Sequence, residues 1–418
     1  MNNKLGDQIN MSKESLPSWF GDDFMESFLT ESGTKADETK VVNLEIKSRL
    51  GVEKTHFSNI YRVKAELNLT KNGETKTVIK YLVIKERSSD KFIRDVVEGG
   101  KLVEKEYLMY KEILPLMKKT MNNFYISPKY YDTKLPNIFV LEDLNERGYS
   151  MCDRLKGLDF DHSAKFMEAL ASFHAVSVAI HKQNPIMIMS IGEEYLHTLE
   201  ESHNDDFVSS WVTKFYKAVE TWDGYERYSK MIHDLITTFP DRLHEVFTLR
   251  KHLNVLNHGD TWTNNILFKY NPIGEVMDVK LLDYQVCRYA SPALDLQYFT
   301  WTSIQEDVRI HKIKQLYSIY LKSLNSHLEH LGCEERLTES ELQNEIDFTG
   351  IFIIYIIIFV LPFILNDPDN IIRLEENDYL FNIKNKENDH ITNIFKSKYF
   401  VSTVKSMLKE LESKGIIK

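Results

Sequence analysis

The spacing of apolar residues changes along this chain, from a period of two near the N-terminus to a helical period in the rest. Between Tyr61 and Thr70, apolar and polar residues alternate, which predicts a half-buried antiparallel strand. Asn72-Gly73 follows as a strong signal for a tight hairpin turn, and Thr77–Lys85 supplies the returning strand. From about Asn145 onward, apolar residues recur with helical spacing. The pattern therefore predicts an α+β protein.

We expect the chain to divide into a short N-terminal segment and two lobes. Residues 1–15 are predicted to be disordered. Residues 16–141 are expected to form a small β-rich lobe with one long helix at Lys91–Lys118. Residues 142–418 are expected to form a larger, mainly helical lobe, with a short connector near Leu141–Leu144.

The composition is that of a soluble globular protein, 43% hydrophobic and 27% charged. A net charge of −10 with scattered lysines and arginines argues against nucleic acid or an anionic membrane as the main partner. The N-terminus has no apolar signal-peptide core. The three cysteines lie far apart without a CxxC motif, which argues against disulfides and a zinc site. We therefore expect a cytoplasmic monomer.

One apolar segment, Phe348–Leu365, could challenge this expectation. As a helix it would be about 27 Å long, just enough to span a bilayer. It contains Gly350 and Pro362, however, and its flanks lack the Lys/Arg bias of a membrane span. We therefore expect a buried core helix and no membrane span.

The stretch Leu256–Phe299 combines the polar groups that phosphoryl transfer needs. His258-Gly259-Asp260 is followed by Asn265, and Asp283 comes after two apolar runs. Asp260 could accept or orient the proton of an attacking hydroxyl, while Asn265 and Asp283 could supply oxygen ligands to Mg²⁺ beside the phosphates. Each of these residues alone is more often a turn residue. Their joint spacing indicates a phosphoryl-transfer site.

The predicted local geometry supports this interpretation. Two short apolar strands, Asn265–Tyr270 and Val276–Leu282, flank a turn at Asn271–Gly274. Because Asn265 starts the first strand and Asp283 follows the second, an antiparallel hairpin brings both to the same open end. The turn is not centred between them, so we expect a bulge or an offset in register.

These motifs resemble the insect ecdysteroid kinase-like family, also called CHK kinase-like, which is related to choline kinases and aminoglycoside phosphotransferases. The resemblance rests on these segments, whose combination is specific: His258–Phe268, Leu282–Gln285, Ser291–Leu296, Leu16–Trp19, Leu141–Gly148 and Phe173–Ala175. One departure is Tyr284, where the family usually has Phe. The resemblance implies a protein-kinase-like bilobal fold, with nucleotide bound by the small N-terminal lobe and catalysis in the large helical lobe.

The resemblance also assigns roles in the helical lobe. It implies that Asp260 is the catalytic base and that Asn265 and Asp283 are metal ligands. It further implies that Asp295 is a buried acid that steadies the catalytic loop. An equally good interpretation is that Asp295 caps a helix after Ser291-Pro292.

In the small lobe, a kinase of this kind needs a lysine for the α- and β-phosphates. Lys85 ends a strand in a position that matches the Val-Ala-Ile-Lys pattern of kinases, and Lys80, on the opposite face, is the competitor. The resemblance points to Glu106 as the ion-pair partner of this lysine. Glu98 and Glu104 stay possible, and each is more often an exposed helix residue.

The nucleotide-covering loop is predicted at Gly51–Asn59, which lacks the three glycines of protein kinases. As in related small-molecule kinases, Ser58 and Asn59 would donate hydrogen bonds to phosphate instead. Adenine would stack near the connector and bond backbone groups at Glu142 and Leu144. The expected cofactors are therefore ATP and Mg²⁺.

The phosphate acceptor is poorly specified by the sequence. The segment Phe207–Tyr228 is rich in aromatic residues at a spacing typical of a helical core. The family binds its substrate in this lobe, and an apolar wall would suit an ecdysteroid or a xenobiotic alcohol or glycoside. The alternatives are a choline- or ethanolamine-type kinase, or a catalytically inactive small-molecule-binding protein of the same fold.

Overall fold

The computed structural model describes residues 17–31, 37–50, 58–87, 101–122, 124–133, 135, 137–192, 205–366 and 394–418. The chain forms two compact units, Met1–Val97 with Ser127–Ser150, and Glu98–Ile126 with Met151–Lys418. The first is built around a sheet and the second is mainly helical, which confirms the predicted α+β class. The lobe boundary predicted near residue 141 stays a prediction.

The first unit contains a five-stranded antiparallel sheet in the order β1-β2-β3-β5-β4. Its strands are β1 (Glu38–Leu50), β2 (Ser58–Lys71), β3 (Glu74–Arg87), β4 (Tyr130–Tyr131) and β5 (Ile138–Glu142). The predicted hairpin is confirmed, because β2 pairs with β3 around Asn72 and Gly73, whose φ angles of 51° and 82° suit a tight turn.

A helix at Asp22–Glu31 (α1) covers one face of this sheet. The alternating pattern of β2 buries its apolar positions, including Tyr61, Val63 and Ala65, on that face. Met25 and Phe28 of α1 pack into the same cluster. The first unit therefore has a hydrophobic core of its own.

The second unit contains most of the helices of the described chain. Their bounds are α2 (Leu102–Leu108), α3 (Leu114–Thr120), α4 (Phe160–Gln183), α5 (Pro185–Ile191), α6 (Asp205–Glu220), α7 (Glu226–His233), α8 (Phe239–Val246), α9 (Ala293–Thr302), α10 (Glu306–His330), α11 (Glu339–Phe348), α12 (Gly350–Tyr355), α13 (Leu361–Ile364) and α14 (Lys398–Ser413). A π-helical turn at Met109–Ile113 joins α2 to α3, and another at Ile356–Val360 joins α12 to α13. Further short strands are β6 (Tyr149–Met151), β7 (Val255–Asn257), β8 (Ile266–Tyr270), β9 (Val276–Leu281) and β10 (Arg288–Ala290).

The apolar segment Phe348–Leu365 lies in the core of this helical unit. Most of its side chains are buried in one cluster with residues of α6, α8, α9 and α14. Among the described residues, no single helix is long and apolar enough to cross a membrane. Two helical segments bent by 49°, Glu339–Phe348 and Gly350–Ile364, together match a membrane span in length and composition only.

Candidate active site

The hairpin of β8 and β9 forms as predicted and sets the position of two candidate metal ligands. The Gly274 amide donates to the Asn271 carbonyl at 3.0 Å, closing the turn. The pairing register shifts at Lys269–Tyr270, which confirms the expected irregularity. At the open end, the Leu282 amide donates to the Asn265 carbonyl at 2.9 Å. Asn265 and Asp283 therefore lie beside each other at the start and end of the hairpin.

Asp260 lies at the same end, with both carboxylate oxygens engaged. The Tyr298 hydroxyl donates to Oδ1 at 2.6 Å, and Asn265 Nδ2 donates to Oδ2 at 2.8 Å. Asn265 Nδ2 also lies 2.9 Å from the Asp260 carbonyl oxygen. These bonds hold the carboxylate in one orientation.

Electrostatics keep Asp260 suited to proton transfer. Burial raises the pKa of its carboxyl to about 6, with a further rise from nearby Asp283 and opposing hydrogen bonds from Tyr298 and Asn265. A carboxyl with this pKa is largely ionised at neutral pH, yet basic enough to take a proton in a transition state. The role of Asp260 as a general base stays a prediction.

Asp283 has a backbone conformation that is rare for residues other than glycine, with φ at 65°. Such strain costs about 1–3 kcal/mol and clusters at functional sites. The next residue, Tyr284, is fully buried and packs edge-on against Tyr110 at 5.5 Å and near His258 at 4.7 Å. The aromatic anchor explains how the unusual turn at Asp283 is maintained.

Asp295, in the first turn of α9, ties this helix to the candidate catalytic loop. Its buried carboxylate accepts the His258 amide at 2.6 Å and the Gly259 amide at 2.8 Å. The helix cap is Pro292, so the capping interpretation is wrong for Asp295. Burial alone would raise the pKa of Asp295, but hydrogen bonds from His174 and the Gly259 amide hold it below its usual value.

Two histidines complete the support of this loop. His174 in α4 bonds Asp295 Oδ2 at 3.1 Å and the Tyr320 hydroxyl at 2.8 Å. Burial lowers the pKa of His258, so its ring is neutral at physiological pH. The Asp260 amide donates to His258 Nδ1 at 3.3 Å, so His258 Nε2 carries the proton donated to the Leu282 carbonyl at 3.0 Å. His258 therefore links the loop of Asp260 to the residue before Asp283.

Gly259 is the position at which this loop requires glycine. Its φ is 85°, and an added Cβ would lie 2.2 Å from the Val286 carbonyl oxygen. The His-Gly-Asp order therefore has a steric reason as well as a chemical one.

The donor set suits Mg²⁺. Asn265 Nδ2 donates both of its hydrogen bonds to Asp260. In the part of the chain that the structure describes, no donor bonds the Asn265 amide oxygen. Asp283 adds a carboxylate beside it. No group of three or more His, Cys, Asp or Glu side chains that could hold a metal occurs among the described residues. Two protein oxygens, completed by phosphate and water, are what Mg²⁺ uses at phosphoryl-transfer sites.

The candidate nucleotide-binding residues of the first unit are placed as follows. Lys85 is buried near the end of β3, while Lys80 is half-buried. Ser58 is buried at the start of β2, and Asn59 Nδ2 donates to Glu86 at 3.3 Å. The rest of the predicted loop, residues 51–57, lies outside the described residues.

The connector between β5 and the following turn is held by a charged pair. Asp143 accepts two hydrogen bonds from Arg62, at 2.9 and 2.6 Å. Glu142 pairs with Arg147 at 3.3 Å, and Leu144 is buried. These side chains have structural partners, so the predicted adenine contacts at Glu142 and Leu144 are left to backbone groups.

Glu106, the predicted ion-pair partner, lies in α2 of the second unit. Its side chain is 1% exposed, whereas Glu104 is exposed and Glu98 lies outside the described residues. A buried carboxylate is rare without a partner or a function. This burial favours Glu106 over Glu104; its pairing with Lys85 stays a prediction.

Tyr298 and the loop-linking role of His258 are the site features that sequence reasoning missed. Tyr298 is one helical turn after Asp295, so the two side chains share a face of α9. The i, i+3 spacing from a candidate buried acid was the available signal. Because an aromatic residue in an apolar helix is usually part of the core, the sequence did not indicate that Tyr298 contacts Asp260.

Asp260, the oxygen groups of Asn265 and Asp283 beside it and the buried Asp295 behind the loop have the arrangement expected of a kinase-like phosphotransferase site. Residues 53–333, more than half of the chain, match the model of the ecdysteroid kinase-like family. The chain belongs to this family, and the resemblance predicted from its motifs is confirmed. Family membership supports a phosphotransferase of small molecules.

The fold is similar to solved structures of small-molecule kinases at low sequence identity. A Plasmodium vivax ethanolamine kinase is 13% identical, with 89% of this chain and 83% of that chain covered and a TM-score of 0.41. Spectinomycin phosphotransferase in complex with ADP and spectinomycin is 13% identical over 91% and 99%, with a TM-score of 0.40. A choline/ethanolamine kinase family protein from Mesorhizobium loti is 10% identical over 88% and 92%, with a TM-score of 0.32. No curated protein matches the sequence.

Proposed function

We propose that this protein is an ATP- and Mg²⁺-dependent kinase that phosphorylates a hydroxyl group of a small molecule. The observation that carries the proposal is the Asp260 carboxylate, oriented by Tyr298 and Asn265 beside the strained Asp283. A merely structural loop would not need a buried base and two oxygen ligands at one end of a hairpin.

In the proposed reaction, Asp260 orients the acceptor hydroxyl and takes its proton. The acceptor oxygen forms a bond to the γ-phosphorus as the bond to the ADP oxygen breaks. Asn265 and Asp283 would hold Mg²⁺, which would supply positive charge to neutralise the phosphates. Asp295 and His258 keep the loop in position throughout, because their hydrogen bonds lie within the protein and do not use the substrate.

The acceptor is proposed to have an apolar ring system, as in an ecdysteroid or a xenobiotic alcohol or glycoside. A row of aromatic rings starts near the base: Tyr298 lies 6.4 Å from Phe352, which stacks on Tyr355 at 5.4 Å. Tyr355 then stacks on Phe359 at 5.1 Å, and Phe359 stacks on Trp211 at 5.4 Å. Tyr355 and Phe359 are only partly buried, so the exposed part of each ring can contact a ligand.

The same row interrupts its helix in a way that is common at functional sites. Residues Ile356–Val360 form a π-helical turn between α12 and α13. By contrast, Trp211, Phe215, Trp222 and Tyr228 of the segment predicted as core are nearly fully buried. The partly exposed part of the aromatic cluster, rather than these residues, is the proposed acceptor wall.

A transfer assay with γ-³²P-labelled ATP and three acceptors, an ecdysteroid, a plant glycoside and choline, tests the proposal. We expect label on a ring-bearing alcohol in the presence of Mg²⁺, and a loss of about 10²–10⁴-fold in Asp260→Asn. Asp223→Asn, at an exposed aspartate of the same helical unit, is the matched control and should keep the wild-type rate.

Two results would contradict parts of this proposal. Label on choline alone would favour a choline-type kinase and contradict the proposed aromatic acceptor wall. Wild-type transfer rates in Asp260→Asn would remove Asp260 as the base.

A further inference from the structure

A cavity of about 420 Å³ lies inside the helical unit, bounded by residues of α8, α9, α10, α11, α12 and α14 and the last residues of the chain. Its volume falls in the range of small-molecule sites, roughly 300–1,000 Å³. All of its lining residues belong to the described part of the chain. The proposed phosphotransfer reaction uses none of them.

The cavity is separated from Asp260 by helix α9. Asp295 and Tyr298 share the face of α9 that bonds the candidate catalytic loop. Gln297, Thr300 and Trp301 line the cavity. At about 100° per residue, Gln297 and Thr300 fall on the side of the helix away from Asp295 and Tyr298, and Trp301 lies between the two sides. A molecule in the cavity therefore cannot be the acceptor that Asp260 activates.

The floor of the cavity includes the partly exposed Tyr317 ring and the Trp301 ring, whose centroid lies 4.8 Å from the Arg309 guanidinium. Trp301 is 3% exposed, and its Nε1 donates to Gln297 Oε1 at 3.0 Å. Gln297 Nε2 donates to the Ile346 carbonyl at 2.9 Å. Thr300 and Tyr317 bond each other at 3.1 Å. Because these polar atoms are paired within the protein, the floor favours an apolar, planar body.

The charged lining has an excess of positive groups. Four cations line the cavity with two acids, and the set is Arg242, Arg309, Lys314, Lys414, Asp347 and Glu410. Glu410 is already bonded by Arg309 at 3.0 Å and lies 3.5 Å from Lys414. Within the described residues, neither Arg242 nor Lys314 forms an ion pair, and both are exposed at the rim. Asp347 accepts a hydrogen bond from Gln343 at 2.8 Å.

This local excess of positive charge is opposite in sign to the net charge of the whole chain, which is −10. Two cations without an ion-pair partner among the described residues, beside the partly exposed Tyr317 ring, match a small molecule that carries a negative group and a planar apolar part. A macromolecule does not fit a cavity of this size. We propose that this cavity is a second ligand site that binds a small aromatic anion, such as an aryl carboxylate or an aryl phosphate.

Calorimetric titration with 2-naphthoate, 2-naphthyl phosphate and the neutral 2-naphthamide tests the proposal on the full-length protein. We expect at least one naphthyl anion to bind about tenfold or more tightly than the amide. The double variant Arg242→Gln/Lys314→Gln should lose this advantage. Both side chains lie on the surface, so the variant is expected to fold.

A control of equal charge change separates the site from general electrostatics. Lys230→Gln/Lys322→Gln alters two exposed lysines that do not line the cavity and should bind like wild type. Failure of both naphthyl anions to bind, equal binding of the amide, or equal losses in the two double variants would overturn the site. Because binding is measured without nucleotide, this failure is distinct from any failure of the proposed kinase activity.

Discussion

At the scale of single residues, Asp260 is prepared for its proposed role before any substrate arrives. Tyr298 and Asn265 each bond one of its carboxylate oxygens, at 2.6 and 2.8 Å. Such pre-organisation lowers the cost of orienting the base in the transition state. Tyr298 is almost fully buried, and burial raises the pKa of its hydroxyl well above the ordinary value, so it stays a donor at neutral pH.

Tyr298→Phe should therefore reduce kcat about tenfold or more, because a hydrogen bond to a charged group is worth about 1.5–3 kcal/mol. The KM for ATP should not change, since Tyr298 bonds only the base. Steady-state kinetics with an acceptor found in the transfer assay measures both values.

Tyr317→Phe is the matched control, because its hydroxyl bonds Thr300 on the other side of α9. It should leave kcat near the wild-type value. An unchanged kcat in Tyr298→Phe, or an equal loss in both variants, would contradict a positioning role for Tyr298.

At the scale of elements, the site is held by contacts between helices and loops rather than by the loop alone. Asp295 joins α9 to the backbone at His258 and Gly259, and His174 joins α4 to Asp295. The hairpin of β8 and β9 fixes Asn265 beside Leu282. Elements distant in sequence therefore meet at one loop.

Asp295→Ala should destabilise the protein by about 3–5 kcal/mol, because it leaves buried donors of the loop and His174 without their acceptor. The pKa of Asp295 is lowered in the folded protein. Its stabilising contribution is therefore present above the ordinary carboxyl pKa of about 3.9 and is lost as pH falls through the lowered value. Thermal unfolding at neutral pH measures the effect. An unchanged Tm in Asp295→Ala would contradict a stabilising role for the bonds of Asp295 to the loop.

His162, in the first turn of α4, links this helix to β8 and predicts a pH effect on stability. Its Nδ1 bonds Asp159, the cap of α4, at 2.7 Å, and its Nε2 bonds Tyr270 of β8 at 3.0 Å. Hydrogen bonding with Cys152 is the largest cause that raises the pKa of His162 to about 9; burial opposes it and Asp159 adds to it.

Because the folded pKa is raised, this contribution is complete below the unfolded value of about 6.5 and is lost as pH rises through about 9. The Tm of the wild type should fall over this pH interval more than that of His162→Gln. Parallel Tm curves for the two proteins would contradict the linkage.

At the scale of the whole molecule, the sequence predicted the α+β class, the family and the hairpin that places Asn265 and Asp283. These features depend on local signals: alternation, the Asn72-Gly73 turn and fixed motif spacing. Tyr298 and the backbone bonds of Asp295 were not predicted in the same way, because they depend on how α9 packs against a loop that is far away in sequence. The cavity behind α9 was also out of reach, since its charged lining comes from separate helices.

The two compact units carry different parts of the proposed chemistry. The first contains Lys85 and the connector at Glu142–Leu144, and the second contains Asp260, Asn265 and Asp283. We propose that this chain binds ATP together with Mg²⁺ through Asp283. Nucleotide binding tests it without knowledge of the acceptor.

Calorimetric titration of the wild type with the non-hydrolysable analogue AMP-PNP, with and without Mg²⁺, is the most direct measurement. We predict that Mg²⁺ strengthens binding about tenfold or more, equivalent to about 1.4 kcal/mol. Asp283→Ala should abolish this dependence, while Asp223→Asn, at an exposed aspartate, should keep it. An absence of AMP-PNP binding, or binding that is equal with and without Mg²⁺, would contradict the account.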